Sequence, residues 1–250
     1  WDTATPARHF RGGEAPVDIR PEPLTPEKAV EGDCFFWAGP IYNHFGHQVS
    51  EFSSRILPSL GFNPDAILVF SSKYGSLISK FEDSPHFFQE LLSWYGVDSK
   101  RTYFVDRPTL FRRLNVVAQP ERLIPASSSP VAPHPGYLDA LTELTNARLG
   151  AQVHSGTVFI SRSALRPAVA GEAELDMLFK NAGAQVFHPE RHPLREQIAV
   201  YASAKTLVFT EGSALHGLQL LGRNIGRVVV IQRRTAGRPL GATFVPPRSE

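Results

Sequence analysis

From residue 33 to residue 231 short apolar runs alternate with stretches of helical spacing, and this alternation limits the fold more than any other feature. Residues 33–38 are apolar and aromatic and run into Gly39-Pro40. Val49, Phe52, Ile56 and Leu60 then recur on one face of a predicted helix over 47–60, closed by Gly61. Residues 66–70 read as a strand, 85–95 as an amphipathic helix stopped at Gly96, 101–105 as a strand and 112–118 as one more. A Pro/Ser-rich stretch, 124–136, is the best linker. After it come a helix at 137–149, a strand at 157–160, a helix at 173–181, a strand at 184–187, a helix at 193–202, a strand at 206–209, a helix at 213–221 and a strand at 227–231. Residues 1–32, rich in Pro, Gly and charge, read as an irregular lead-in or a short edge element, and 232–250 as irregular. Such alternation implies parallel sheets covered by helices. The expected class is α/β, in two Rossmann-like lobes spanning residues 1–130 and 131–250.

Composition narrows the partners. A net charge of +2 over 250 residues does not favour nucleic acid. The basic residues are mostly arginine, which suits fork-shaped contacts to a small anionic ligand. Cys34 is alone, so no intrachain disulfide can form, and its apolar setting suggests a small buried residue rather than a nucleophile. No apolar stretch approaches the roughly 18 residues of a membrane-spanning helix. No signal-peptide pattern is present, and Trp1 in place of methionine leaves room for further segments of the same polypeptide.

In parallel α/β sheets ligands bind beyond the carboxyl ends of the strands. The residues there are polar: 42–47, 71–73, Asp106-Arg107, Ser161-Arg162, 188–190 and 211–213. The sharpest junction is 206–217, where Leu207-Val208-Phe209 stops at Thr210-Glu211-Gly212-Ser213 and a helical pattern follows at once. With Ser213 as N-cap, that turn would present free amides and a positive dipole end to a phosphate or diphosphate, and Glu211 would take a sugar hydroxyl or a proton. An ordinary strand-to-helix junction reads the same way. Asn43-His44-Phe45-Gly46-His47 offers a histidine as general base, because imidazole titrates near neutral pH. The rival readings are a pair of loop histidines, or metal ligation by His44, His47 and Glu51, which lacks the His-Glu-x-x-His spacing. Arg162 and Arg166 suit a diphosphate clamp or form a solvated pair. Glu190 suits a ribose or sugar hydroxyl or is a surface carboxylate, and Glu196-Gln197 read equally as helix surface. There is no Asp-x-Asp platform, no Gly-x-Gly-x-x-Gly, no P-loop and no Gly-x-Ser-x-Gly elbow.

Four of these segments, in this order, resemble glycosyltransferase family 61, particularly bacterial members linked to capsular and other surface polysaccharides. Asn43-His44-Phe45-Gly46-His47 with Glu51 looks like the family's early Asn-[Phe/Tyr]-x-His helix start. Phe159-Ile160-Ser161-Arg162 is similar to its strand ending in Ser-Arg. Phe187-His188-Pro189-Glu190, followed by Leu194-Arg195-Glu196-Gln197-Ile198, looks like its Pro-Glu and Glu-Gln-Ile segment. Thr210-Glu211-Gly212-Ser213-Ala214-Leu215-His216 resembles its Gly-Ser/Ala-Ala-Leu-His/Asn turn, with Glu211 where many relatives carry histidine. The resemblance covers roughly residues 34–232. It implies a GT-B fold, inversion at the anomeric carbon and no cofactor or required metal. The partners it implies are a nucleotide-sugar donor on the C-terminal lobe and a glycan or glycolipid acceptor. On that reading His47 is the base, with Glu211 second. Ser161, Arg162, Arg166, Glu190, Gly212, Ser213 and His216 bind the donor. Asn43, His44 and Glu51 lie on the acceptor side, and the enzyme works in the cytoplasm, peripheral membrane association being allowed. Two other functions share the same cleft: a non-catalytic nucleotide- or sugar-binding scaffold, and a phosphate-handling hydrolase or epimerase.

Overall fold

The computed structural model describes residues 8–11, 17–18, 22–73, 77–121, 133–165, 170–223, 225–233, 240–242 and 244–249. Arg166 and most of the 124–136 stretch lie outside the described residues. The chain divides into two compact units, Trp1–His134 and Pro135–Glu250.

The first unit holds a two-stranded sheet, β1 (Lys28–Val30) with β5 (Thr109–Phe111), and a three-stranded sheet of β2 (Phe35–Ile41), β3 (Ile67–Ser72) and β4 (Thr102–Val105) in that order. Every pair is parallel. The central β3 is apolar and buried at Leu68, Val69 and Phe70, as expected of a parallel strand covered on both faces. Helix α3 (His86–Tyr95) packs Phe88 edge-on against Phe70 and ends at Gly96, whose φ of 77° is the left-handed closure that glycine supplies. The strand expected at 112–118 is a single parallel bridge, Phe36 to Asn115, and the pairing strand of that region is β5. Two prolines flank 109–119, Pro108 and Pro120, and Arg112 to Leu114 is mostly exposed, so nothing there buries a second ladder.

The long helix expected over 47–60 is three pieces. A single turn, α1 (Phe45–His47), runs into a π-helical stretch at Gln48–Phe52, and α2 (Ile56–Phe62) starts afresh. Pro58 explains the restart: mid-helix it would remove a hydrogen bond and clash, but in the first turn of α2 its missing N–H has no partner to lose. The apolar spacing is real, since Val49, Phe52 and Ile56 are buried. So are Gln48, Ser50, Glu51, Ser53, Ser54 and Arg55; Gln48 bonds Ser53 within the stretch, while Arg55 reaches the main-chain carbonyls of Val117 and Arg8, distant in sequence. Ser50 Oγ donates to the Gly46 carbonyl at 2.7 Å. Gly39 admits the whole stretch. It follows a bulge in β2 and has φ +116°, and a Cβ there would lie 2.4 Å from the Phe52 carbonyl oxygen.

The second unit is one four-stranded parallel sheet, β7 (Gln185–Phe187), β6 (Ser155–Ile160), β8 (Ala204–Thr210) and β9 (Arg227–Ile231) in that order. Helices α4 (Pro135–Leu149), α5 (Glu172–Asn181) and α6 (Leu194–Ser203) complete it. The chain leaves β6 for β7 on one side and then crosses to β8 on the other. Strand order therefore reverses between β6 and β8, and a crevice opens at such a switch point. The helix expected at 213–221 is a 3-10 helix, Ser213–Leu220, and its cap is Gly212, with no side-chain capping bond. Ser213 is the first residue of the helix, not its N-cap.

Candidate functional site

The first cluster forms where β2 ends. Gln48, wholly buried, accepts the Tyr42 amide at 2.7 Å and donates to Ser53 Oγ at 2.9 Å, tying the strand end to the π-helical stretch. His44 is extended and caps α1, its Nδ1 accepting the His47 amide at 3.4 Å. Burial, and then the nearby charge of His47, hold the His44 imidazole below its ordinary value, which suits this accepting role. Asn43 is exposed.

Glu51 is the centre of this cluster, its side chain only 4% exposed. Burial alone would raise its carboxyl, but hydrogen bonds from His9 and His47, with the charges of His9 and Arg11, outweigh that and hold it below the ordinary carboxylate range. His9 Nε2 lies 3.0 Å from Oε1, His47 Nδ1 3.2 Å and Arg11 Nε 3.8 Å from Oε2. An ionised carboxylate only accepts, so this contact selects, for the uncharged form of the His47 ring, the tautomer with its proton on Nδ1 and a lone pair on Nε2. That ring is 30% exposed, and Nε2 makes no hydrogen bond among the described residues. His44 meets that ring edge-on and Tyr42 meets it at a tilt, Tyr42 and His44 being stacked on each other, and Lys73 Nζ lies 4.1 Å from the centre of the Phe52 ring.

The second cluster sits at the switch point. Arg162, the second residue after β6, donates from Nη1 to the Glu211 carbonyl at 2.8 Å. Its own amide is held by Glu172 Oε1 at 3.0 Å, from the first residue of α5. Gly212 is extended, φ 177°, so glycine is needed for space and not for torsion. A Cβ there would stand 2.7 Å from Arg162 Nη1 and 2.9 Å from Cζ, so the guanidinium lies directly over the turn. The first amides of the 3-10 helix have no partner within it. Ser161 is buried, its Oγ accepting the Ser163 amide at 3.0 Å, and Ser163 Oγ donates to Asp176 Oδ2 at 2.5 Å. Glu190 stands exposed on the 3-10 turn Pro189–Arg191, close enough for its charge to act on Arg162. Glu211 is buried and its Oε2 accepts the Arg233 amide at 3.2 Å. His216 points into the interior, with Nδ1 2.7 Å from Gln219 Oε1 and its ring stacked on Phe244. Among the described residues no group of three or more His, Cys, Asp or Glu could hold a metal ion, and no helix is long and apolar enough to cross a membrane.

The family model described as Glycosyltransferase 61 matches residues 45–230. The chain belongs to the glycosyltransferase 61 family. It is a glycosyltransferase, and its partners in general terms are a nucleotide-sugar donor and a glycan acceptor. A search of curated proteins gives no match.

The glycosyltransferase 61 match opens at α1 and closes in β9, so it takes in His47, Glu51, Arg162 and Glu211. His9, Arg11 and Arg233 fall outside it, and the sequence reading missed all three. Each comes from a segment without periodicity and meets its partner only through tertiary structure: His9 is 42 residues from Glu51, and Arg233 is 22 from Glu211. Nothing in the local sequence marks them.

Proposed function

We propose that this glycosyltransferase is an inverting, metal-independent enzyme of the two-lobed GT-B type, moving a sugar from a nucleotide-sugar to a glycan or glycolipid hydroxyl in the synthesis of a bacterial surface polysaccharide. The observation that carries the reading is the His47–Glu51 pair. A buried carboxylate, held ionised, fixes the imidazole tautomer and leaves Nε2 with its lone pair free. A single-displacement transfer needs such a base to take the acceptor hydroxyl proton while that oxygen attacks the anomeric carbon. Glu51 is the positioning residue. Glu211 ranks below His47 as base, because its carboxylate is buried and already accepts a main-chain amide.

On the donor side, Arg162 and the Gly212-Ser213 turn supply positive charge where the departing diphosphate gathers negative charge, the work a divalent metal does in other transferases. Glu190 takes sugar or ribose hydroxyls. His216, stacked in the interior, is left out of the donor subsite. The surface-polysaccharide role is supported by the resemblance of the four short motifs to bacterial members.

A transfer assay with a panel of nucleotide-sugars and glycan acceptors tests this reading, run with and without a chelator. Transfer with inversion that survives chelation is expected. Retention of configuration, or loss that magnesium or manganese restores, overturns the mechanism. Nucleoside diphosphate binding without turnover, unchanged in His47→Ala, would identify a scaffold instead.

A further inference from the structure

Arg162 and Arg233 converge on one oxygen. Arg162 Nη1 donates to the Glu211 carbonyl at 2.8 Å, and Arg233 Nε donates to the same carbonyl at 2.7 Å. Two permanent cations are thereby made close neighbours. The cost is visible in Arg162, whose guanidinium is held below its ordinary value by burial and then by the charge of Arg233. Glu172, Glu190 and Glu211 oppose that effect. None of their oxygens, however, forms an ion pair with either guanidinium among the described residues. Glu172 uses Oε1 on the amide of Arg162, and Glu211 uses Oε2 on the amide of Arg233. The carboxylates of Glu172 and Glu211 therefore anchor the two main chains, and among the described residues the guanidinium groups of Arg162 and Arg233 bond only to the Glu211 carbonyl. A loosely solvated pair of long side chains would drift apart, since like charges repel and each chain gains rotamer freedom by doing so. Here a shared carbonyl and two carboxylate–amide anchors hold them together, over a glycine that admits no side chain.

We propose that Arg162 and Arg233 form a two-pronged clamp for a diphosphate, one guanidinium on each phosphoryl group. The proposal rests on the donor reading above and deepens it, adding Arg233, which lies beyond the matched family span. Guanidinium forks bind phosphoryl oxygens bidentately, so a diphosphate satisfies both arginines while a monophosphate satisfies one. The diphosphate belongs to a nucleoside diphosphate or to a lipid-linked one, and the clamp recognises what they share.

Calorimetric titration of the whole chain distinguishes the outcomes, with inorganic pyrophosphate, uridine, cytidine and guanosine diphosphates, the matching monophosphates, and geranyl diphosphate as probes. Arg233→Ala is expected to weaken pyrophosphate and the preferred diphosphate by about 10-fold or more, with monophosphate binding reduced much less. Arg233→Lys is expected to recover only part of the loss, because lysine keeps the charge without the fork. Thermal melting of both variants checks that they fold. Unchanged diphosphate affinity in Arg233→Ala overturns the clamp and leaves the nucleotide-donor reading standing. Pyrophosphate binding that Arg233→Ala abolishes, with no nucleoside diphosphate bound, upholds the clamp and overturns that reading. Tighter binding of geranyl diphosphate than of every nucleotide upholds the clamp and assigns it to a lipid-linked diphosphate. No binding of any probe overturns both.

Discussion

The ends of β2 and β8 solve one problem with opposite chemistry. Past β2 a buried carboxylate, Glu51, gathers two imidazoles and stands 3.8 Å from an arginine. Past β8 a main-chain carbonyl, that of Glu211, gathers two arginines. Both are oxygens fixed beyond the carboxyl end of a parallel strand, and both are approached by side chains distant in sequence. The first group joins a carboxylate to imidazoles, side chains that both give and take protons. The second is built of guanidinium groups, which donate hydrogen bonds and accept none, so it suits holding an anion rather than relaying a proton. Strand ends in this architecture fix position only; the side chains delivered to them decide whether the place performs acid–base chemistry or anion binding.

Substitutions that separate the two ends break or sharpen this contrast. The largest effect is expected for His47→Ala, which should lower transfer about 100-fold or more while leaving donor affinity nearly intact. Full turnover in that variant would remove the base assignment. Arg162→Ala should do the converse, weakening donor binding by about 1–3 kcal/mol, as calorimetry would read. Equal affinity in both proteins would take Arg162 out of the donor site. Gly39→Ala should cost about 1–3 kcal/mol of stability, because its Cβ meets the Phe52 carbonyl and its φ is positive. A denaturant melt indistinguishable from the parent would show that the π-helical stretch yields easily. The smallest effect is a pH dependence. Glu51 has a lowered folded value, so its stabilisation is present above the ordinary 4.5 and is lost as the pH falls through that lowered value. Wild type should exceed Glu51→Gln in Tm by about 2–4 °C at neutral pH, the gap closing in acid. A gap that holds constant down to pH 3 would contradict this sign.

Much of the fold was legible before any coordinates. Parallel strands of apolar residues followed by polar strand ends announce themselves through burial, which operates locally, and the runs at 66–70, 101–105 and 227–231 lie within two residues of β3, β4 and β9. The helix over 47–60 misled because its apolar residues do face the core, while Pro58 and the buried Gln48, Ser50 and Arg55 break the path between them. Arg162 and Gly212 were legible as separate strand-end residues; that one guanidinium lies on the other's backbone was not, since sheet order decides it. His9 and Arg233 carried no signal at all, because irregular segments owe their place to the partners that hold them.

The π-helical stretch at Gln48–Phe52 has a consequence for how this protein tolerates insertion and deletion. Its i to i+5 bonding, with the Ser53 amide donating to the Gln48 carbonyl at 2.9 Å, takes one residue more per turn than an α-helix, so removing a single residue would change the phase of the side chains along it. The same deletion would swing Glu51 around the helix axis, away from His9 and His47. A protein shortened there would lose the means of orienting its imidazole, so a change of length in this stretch should impair transfer even where His47 and Glu51 are both kept.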